Sequence, residues 1–136
     1  MKKTVLSVLA LSALVYSCKK DDDKSNAEKL IGKWNKITMI ENNHEYGVDN
    51  KDTLNYPAGS TSIEFLNNGT FYEKARVYND TGVYKIDGVN LFLTYKGNTE
   101  SDTLTIKSLT DNDMTLYYKD AGSNGDYFES TGTYKK

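Results

Sequence analysis

Between Trp34 and Tyr134 the apolar residues come in short runs at every second position, and clusters of Asn, Asp and Gly interrupt the runs. Side chains alternate between two faces only along an extended strand, so this spacing buries its apolar set as sheet and not as helix. Trp34 opens the first run, with Ile37 and Met39 alternating up to Glu41. Asn42 to Gly59 reads as a long polar loop holding the single His and the single Pro. Ile63 and Phe65 mark a second strand. Asn67-Asn68-Gly69 follows as a hairpin turn of the type that accepts positive φ. Phe71 to Tyr78 returns as a third strand, turned at Asn79-Asp80, and Gly82 to Ile86 forms a fourth. Asp87-Gly88 reads as another tight turn before Val89, Leu91, Leu93 and Tyr95. Leu104 and Ile106 lie on a sixth strand ending near Leu109. Met114, Leu116 and Tyr118 lie on a seventh, and Tyr127 to Tyr134 makes the last. The fold class is therefore all-β: an antiparallel up-and-down arrangement of about eight strands.

An open sheet of that size leaves two edges to aggregate, and closure into a barrel removes both. The inward set is then Ile63, Phe65, Phe71, Tyr84, Leu91, Leu93, Leu104, Ile106, Met114, Leu116 and Tyr118. A barrel of eight strands either fills with its own side chains or holds one small ligand. The alternation is consistent with both.

The N-terminus follows a different logic. Met1-Lys2-Lys3 is a positive lead, and Thr4 to Tyr16 is an apolar stretch too short to span a bilayer, which takes roughly 20 residues. Val15-Tyr16-Ser17-Cys18 resembles the lipobox of bacterial lipoproteins. The resemblance implies a signal peptide over residues 1–17 and acylation of Cys18, the only cysteine in the chain. Two or three acyl chains make a durable membrane anchor. Lys19-Lys20-Asp21-Asp22-Asp23-Lys24-Ser25 is a charged tether within residues 18–29, too polar to bury. It resembles the surface-export signal of Bacteroidota lipoproteins, which implies an outer-membrane protein at the cell surface. A plain spacer on a periplasm-facing lipoprotein is the alternative. Ser25-Asn26 is placed to cap one helical turn over Ala27 to Ile31, ended by Gly32.

Within residues 30–136 several segments, taken in order, resemble one family. Leu30-Ile31-Gly32-Lys33-Trp34 is similar to the Gly-x-Trp opening of lipocalins. Ile63-Glu64-Phe65-Leu66-Asn67-Asn68-Gly69-Thr70-Phe71 resembles the hairpin of the lipocalin-like domains found in Bacteroidota lipoproteins, and Thr81-Gly82-Val83-Tyr84-Lys85-Ile86-Asp87-Gly88 resembles the segment that follows it. Leu109-Thr110-Asp111-Asn112-Asp113-Met114-Thr115-Leu116 is similar to the penultimate hairpin. The resemblance implies that Trp34 plugs one barrel end, with Gly32 giving a tight bend beside it and Gly82 admitting a large neighbour. It also implies a late arginine stacked on the tryptophan. Here Arg76 is the only arginine, leaving Lys135 or Lys136 as a partial substitute.

Composition excludes some functions. Removal of residues 1–17 takes Lys2 and Lys3 with it and leaves a net charge of about −4, which gives nucleic acid no basic footprint. A lone His44 beside Glu41 and Glu45 is a poor zinc site and reads as a solvent-exposed loop residue. Glu64 and Glu73 read as solvated charges on the polar side of a hairpin, and Asp111-Asn112-Asp113 as turn chemistry. No serine or cysteine has an evident His partner. No cofactor, metal site or catalytic residue is expected. The sequence points to a membrane-anchored, lipocalin-like protein, not an enzyme, that binds a small apolar ligand. The alternative is an envelope accessory protein with a filled barrel that binds proteins through Asn42–Gly59 and Asp120–Asp126.

Overall fold

The computed structural model describes residues 24–136; the signal segment, Cys18 and most of the tether lie outside the described residues. One helical turn, α1 (Asn26–Leu30), precedes nine strands. These are β1 (Gly32–Glu45), β2 (Val48–Asn55), β3 (Ser62–Phe65), β4 (Thr70–Lys74), β5 (Asn79–Asp87), β6 (Asn90–Tyr95), β7 (Asp102–Leu109), β8 (Asp113–Ala121) and β9 (Tyr127–Lys135). All pairings are antiparallel, and β1 pairs with β9 to close the sheet. β2 and β3 lie end to end along the other side of β1, through Thr38↔Asn55 and Asn35↔Ser62. The nine strands thus occupy eight positions of a closed barrel, the class the alternation selects.

The turns depart from the sequence expectation at defined places. Asn42–Gly59 is not one loop. β1 runs on to Glu45, and Tyr46-Gly47, at φ 53° and 77°, turns the chain directly into β2. Two positive φ values at a two-residue connection match the twist of the flanking strands. At Asn67-Asn68-Gly69 only Gly69 has positive φ (82°), and Leu66 N–H donates to the Thr70 carbonyl. The connection is therefore a three-residue loop ending in a left-handed glycine, not a two-residue turn. The β4–β5 turn lies at 75–78, where Ala75 N–H donates to the Tyr78 carbonyl, so Asn79-Asp80 already belongs to β5. Asp87 pairs with Asn90, which makes Gly88-Val89 the turn and leaves Val89 exposed.

One end of the barrel is a filled apolar floor. Trp34, Phe65, Phe71, Leu91 and Met114 are buried there, with Leu30 covering them from α1. Burying side chains of this size stabilises the fold by about 1.5–3 kcal/mol each. Trp34 donates its indole N–H to the Leu30 carbonyl at 2.7 Å, which satisfies the one polar atom of the plug. Ser25 and Glu28 form a reciprocal capping box that starts α1 against this end. Lys136 fills the place expected of the late arginine: its Nζ lies 4.6 Å from the Trp34 ring and donates to the Lys29 carbonyl at 2.9 Å. Lys135 instead meets Asp113 at 3.4 Å on the surface. Arg76 is exposed in the β4–β5 turn.

Candidate ligand cavity

Two residues further along each strand the interior changes character. Lys36 follows Trp34, Glu73 follows Phe71, Leu93 follows Leu91 and Leu116 follows Met114, all on the inward phase. Here the side chains do not meet across the barrel. They leave a partly open cavity of about 270 Å³, which Met39, Ile63, Tyr95, Asp102, Leu104, Tyr118, Ser130 and Tyr134 also line. A depression of about 340 Å³ lies over Val83, Lys85, Phe92 and Thr94, but these residues point to the outer wall. The interior cavity is the concave site that a barrel ligand requires.

The eleven inward candidates separate into two layers. Ile63, Leu93, Leu104, Leu116 and Tyr118 line the cavity. Phe65, Phe71, Leu91, Ile106 and Met114 pack in the core cluster below it. Tyr84 joins that cluster, edge-on to Phe65 at 5.0 Å, and its hydroxyl donates to the Leu66 carbonyl at 2.7 Å. Gly82 sits where Phe71 crosses β5, and a Cβ there would lie 2.7 Å from the Phe71 ring.

The polar half of the cavity is absent from the candidate set. Glu73 does not stand on the polar side of its hairpin with Glu64: it pairs with Ile63 and faces inward, while Glu64 pairs with Tyr72 and faces outward. The Glu73 carboxylate accepts the Tyr95 hydroxyl at 2.8 Å. Burial, reinforced by the neighbouring Glu73 charge, raises the Tyr95 phenol well above the usual tyrosine range. Tyr134 is raised by the same causes, burial first. Its ring lies flat over Gly132, where a Cβ would come within 2.9 Å of it.

Lys36 is the cation of this lining. It stands at the register shift of β1 against β9, between Lys36 and Thr38, and its backbone N–H donates to the Thr61 carbonyl. Such bulges re-aim side chains. Its Nζ faces the rings of Tyr56 and Tyr134 at 5.4 and 5.6 Å. Burial lowers the Lys36 pKa, with Glu73 and then Glu41 acting against that shift. The signal for Lys36 and Glu73 was their phase with Trp34 and Phe71; polarity alone assigned Glu73 outward and left Lys36 unmarked.

His44 is not in a loop. It lies on β1, on the outer wall, stacked on Tyr127 at 4.7 Å with Nδ1 2.8 Å from Asp49. Asn42 bridges Asp49 and Glu129 beside it, at 3.2 Å to each. This group faces away from the cavity. Among the described residues no cluster of three or more His, Cys, Asp or Glu is arranged to hold a metal ion.

A model of the family described as a lipocalin-like domain matches residues 30–116, well over half of the chain. The chain belongs to the lipocalin-like domain family. Lobster apocrustacyanin A1 shares its fold at a TM-score of 0.52 and 16% identity, over 82% of this chain and 62% of that one. This lipocalin-like chain thus spans 62% of the length of that crustacyanin. An uncharacterized protein from Bacteroides eggerthii DSM 20697 matches at 0.50 and 16%, over 79% of this chain and 98% of that one. Apocrustacyanin C2 gives 0.52 and 15%, over 82% and 62%. At such identities the likeness is one of fold. No curated protein matches the sequence.

Proposed function

We propose that this lipocalin-like protein binds a small molecule that has an apolar portion, and that it does so at the cell surface while held to the outer membrane by acyl chains on Cys18. The observation that carries the binding reading is the division of the barrel interior. A filled floor under Trp34 supports a partly open cavity of about 270 Å³, lined by Ile63, Leu93, Leu104 and Leu116. That volume falls just below the ~300 Å³ at which typical small-molecule sites begin, so the ligand is small. At water's share of ~30 Å³, it accommodates about nine non-hydrogen atoms. Membership of the lipocalin-like family supports a binding role over an enzymatic one. The lipobox-like Val15 to Cys18 and the acidic tether after it support anchoring and surface display, in the manner of Bacteroidota lipoproteins.

Native mass spectrometry of the full chain, extracted from its own envelope in mild detergent, tests the binding. A retained small molecule, lost when Leu104→Trp fills the cavity, is the expected result. An unliganded protein that also takes up no eight-carbon amphiphile would overturn it. Protease added to intact cells tests the display: the domain should be cleaved without lysis, and protection until lysis would place it on the periplasmic side.

A further inference from the structure

We propose that Lys36 makes the cavity selective for anions, so that the ligand is a small amphiphile whose carboxylate or similar acidic head meets the Lys36 ammonium while its apolar tail lies against Leu93, Leu104 and Leu116. The proposal rests on the ligand-binding reading above and names the chemistry of the head group.

The charged groups of the cavity differ in what already occupies them. Glu73 accepts the Tyr95 hydroxyl. Asp102 is exposed at the rim, where water solvates it. Lys36 differs from both. It is half-buried, and among the described residues no carboxylate lies within 4.0 Å of its Nζ and no side chain accepts a hydrogen bond from it. Its neighbours are two ring faces, which attract a cation but accept no conventional hydrogen bond. Tyr134 also lines this space, and its hydroxyl donates to no described group. The hydroxyls of Thr61, Ser62, Tyr118, Ser130 and Tyr134 can each donate or accept, so the one charged group of the lining left without a hydrogen-bond partner and away from the rim is the Lys36 ammonium, with three N–H. A ligand bringing acceptors and one negative charge completes it, and an ammonium does not.

The net charge of the lining argues the other way, since Glu73 and Asp102 outnumber Lys36. Proximity and burial decide against it. A buried charge-assisted hydrogen bond outweighs charges that are already hydrogen-bonded or hydrated. Glu73 and Glu41 have a second effect, keeping Lys36 protonated against the pull of burial.

Octanoate, 1-octanol and octylamine match the cavity volume and differ only in the head group. Calorimetric titration of the full chain should give octanoate about ten- to a hundredfold tighter than 1-octanol, with octylamine weakest. Lys36→Met should bring octanoate down to the affinity that the same variant shows for 1-octanol, and Lys36→Arg should retain the preference. Glu73→Gln should widen the preference for octanoate. Equal affinity for octanoate and 1-octanol in the unmodified protein, or a preference for octylamine, would overturn the selectivity and leave the binding function standing. Failure of all three probes to bind would overturn the selectivity, and with an unliganded native protein it would remove the binding function too. If Lys36→Met does not fold by circular dichroism, Glu73→Gln and Lys36→Arg still decide.

Discussion

Gly82→Ala is the substitution on which the packing argument is most exposed. A Cβ at this position would lie 2.1 Å from the Thr94 carbonyl oxygen and 2.7–2.9 Å from two carbons of the Phe71 ring. The first contact is with backbone on β6, part of the ladder that pairs Val83 with Thr94, and it has no rotamer by which to escape. The second is with a floor residue that packs edge-on against Tyr95 at 5.1 Å. Relief therefore requires β5 and β6 to separate by about 1 Å, and Phe71 to press on Tyr95 and through it on Glu73. Overpacking costs roughly 1–3 kcal/mol, and a weakened ladder hydrogen bond adds about 1 kcal/mol. The expected total is near the top of that range, about 3–4 kcal/mol, or a fall in melting temperature of roughly 10–20 °C for a domain of this length. Urea unfolding followed by the fluorescence of Trp34 measures it. Gly88→Ala is the control: nothing lies within 4 Å of its Cβ and only the φ of +59° opposes it, which costs about 1–2 kcal/mol. A Gly82→Ala protein no less stable than Gly88→Ala would refute close packing at this crossing.

Other positions give independent checks. Lys136→Ala should cost about 1 kcal/mol through loss of the cation–π contact with Trp34 and the bond to the Lys29 carbonyl, with Lys136→Arg near the unmodified value in urea midpoint; equal midpoints for all three would deny the plug its lid. Buried Tyr95 and Tyr134 have folded-state pKa values raised above that of the unfolded chain, so their contribution is complete below about pH 10 and lost as pH climbs beyond it. Lys36, with a lowered folded-state pKa, contributes in the opposite sense: the cost of burying its charge is relieved as pH rises toward 10, before the tyrosine loss sets in. Urea midpoints should therefore decline above pH 10, less steeply in Tyr134→Phe, and parallel declines in the two proteins would count against burial as the cause. Leu104→Trp should reduce octanoate affinity at least tenfold with circular dichroism unchanged, whereas undiminished binding would move the ligand elsewhere.

The barrel and its floor were legible because they obey one rule. Trp34, Phe65, Phe71, Leu91 and Met114 are apolar, inward and closely packed, and alternation identifies such residues whatever their neighbours do. The cavity was legible only in its apolar half. Lys36 and Glu73 hold inward positions by register, yet a reading that equates polar with outward removes them. Such residues violate the pattern where an interior is kept for something other than packing. The β1–β2 hairpin was misread for a related reason. Its residues, among them Glu41, Asp49, Lys51 and Asp52, are polar on both faces, so no alternation marks them as strands. What specifies that hairpin is Tyr46-Gly47 and pairing of β1 with β9, a contact over more than eighty residues of sequence.

One irregularity accounts for both the opening of the barrel and the chemistry inside it. β3 and β4 are only four and five residues long, so at roughly 3.3 Å per residue the wall they form is low. β2, which would have raised it, is set apart by residues 56–61 and pairs with β1 alone. The gap faces the same stretch of β1 where the register slips beside Lys36. Tyr56, the first residue of the break, brings its ring to the Lys36 ammonium, and Thr61, the last, accepts the Lys36 backbone N–H. An unbroken strand across this segment would close the wall and remove both contacts. The break therefore opens the wall beside the one cation of the described lining, and the packed floor around Trp34 supplies the stability that such a gap costs.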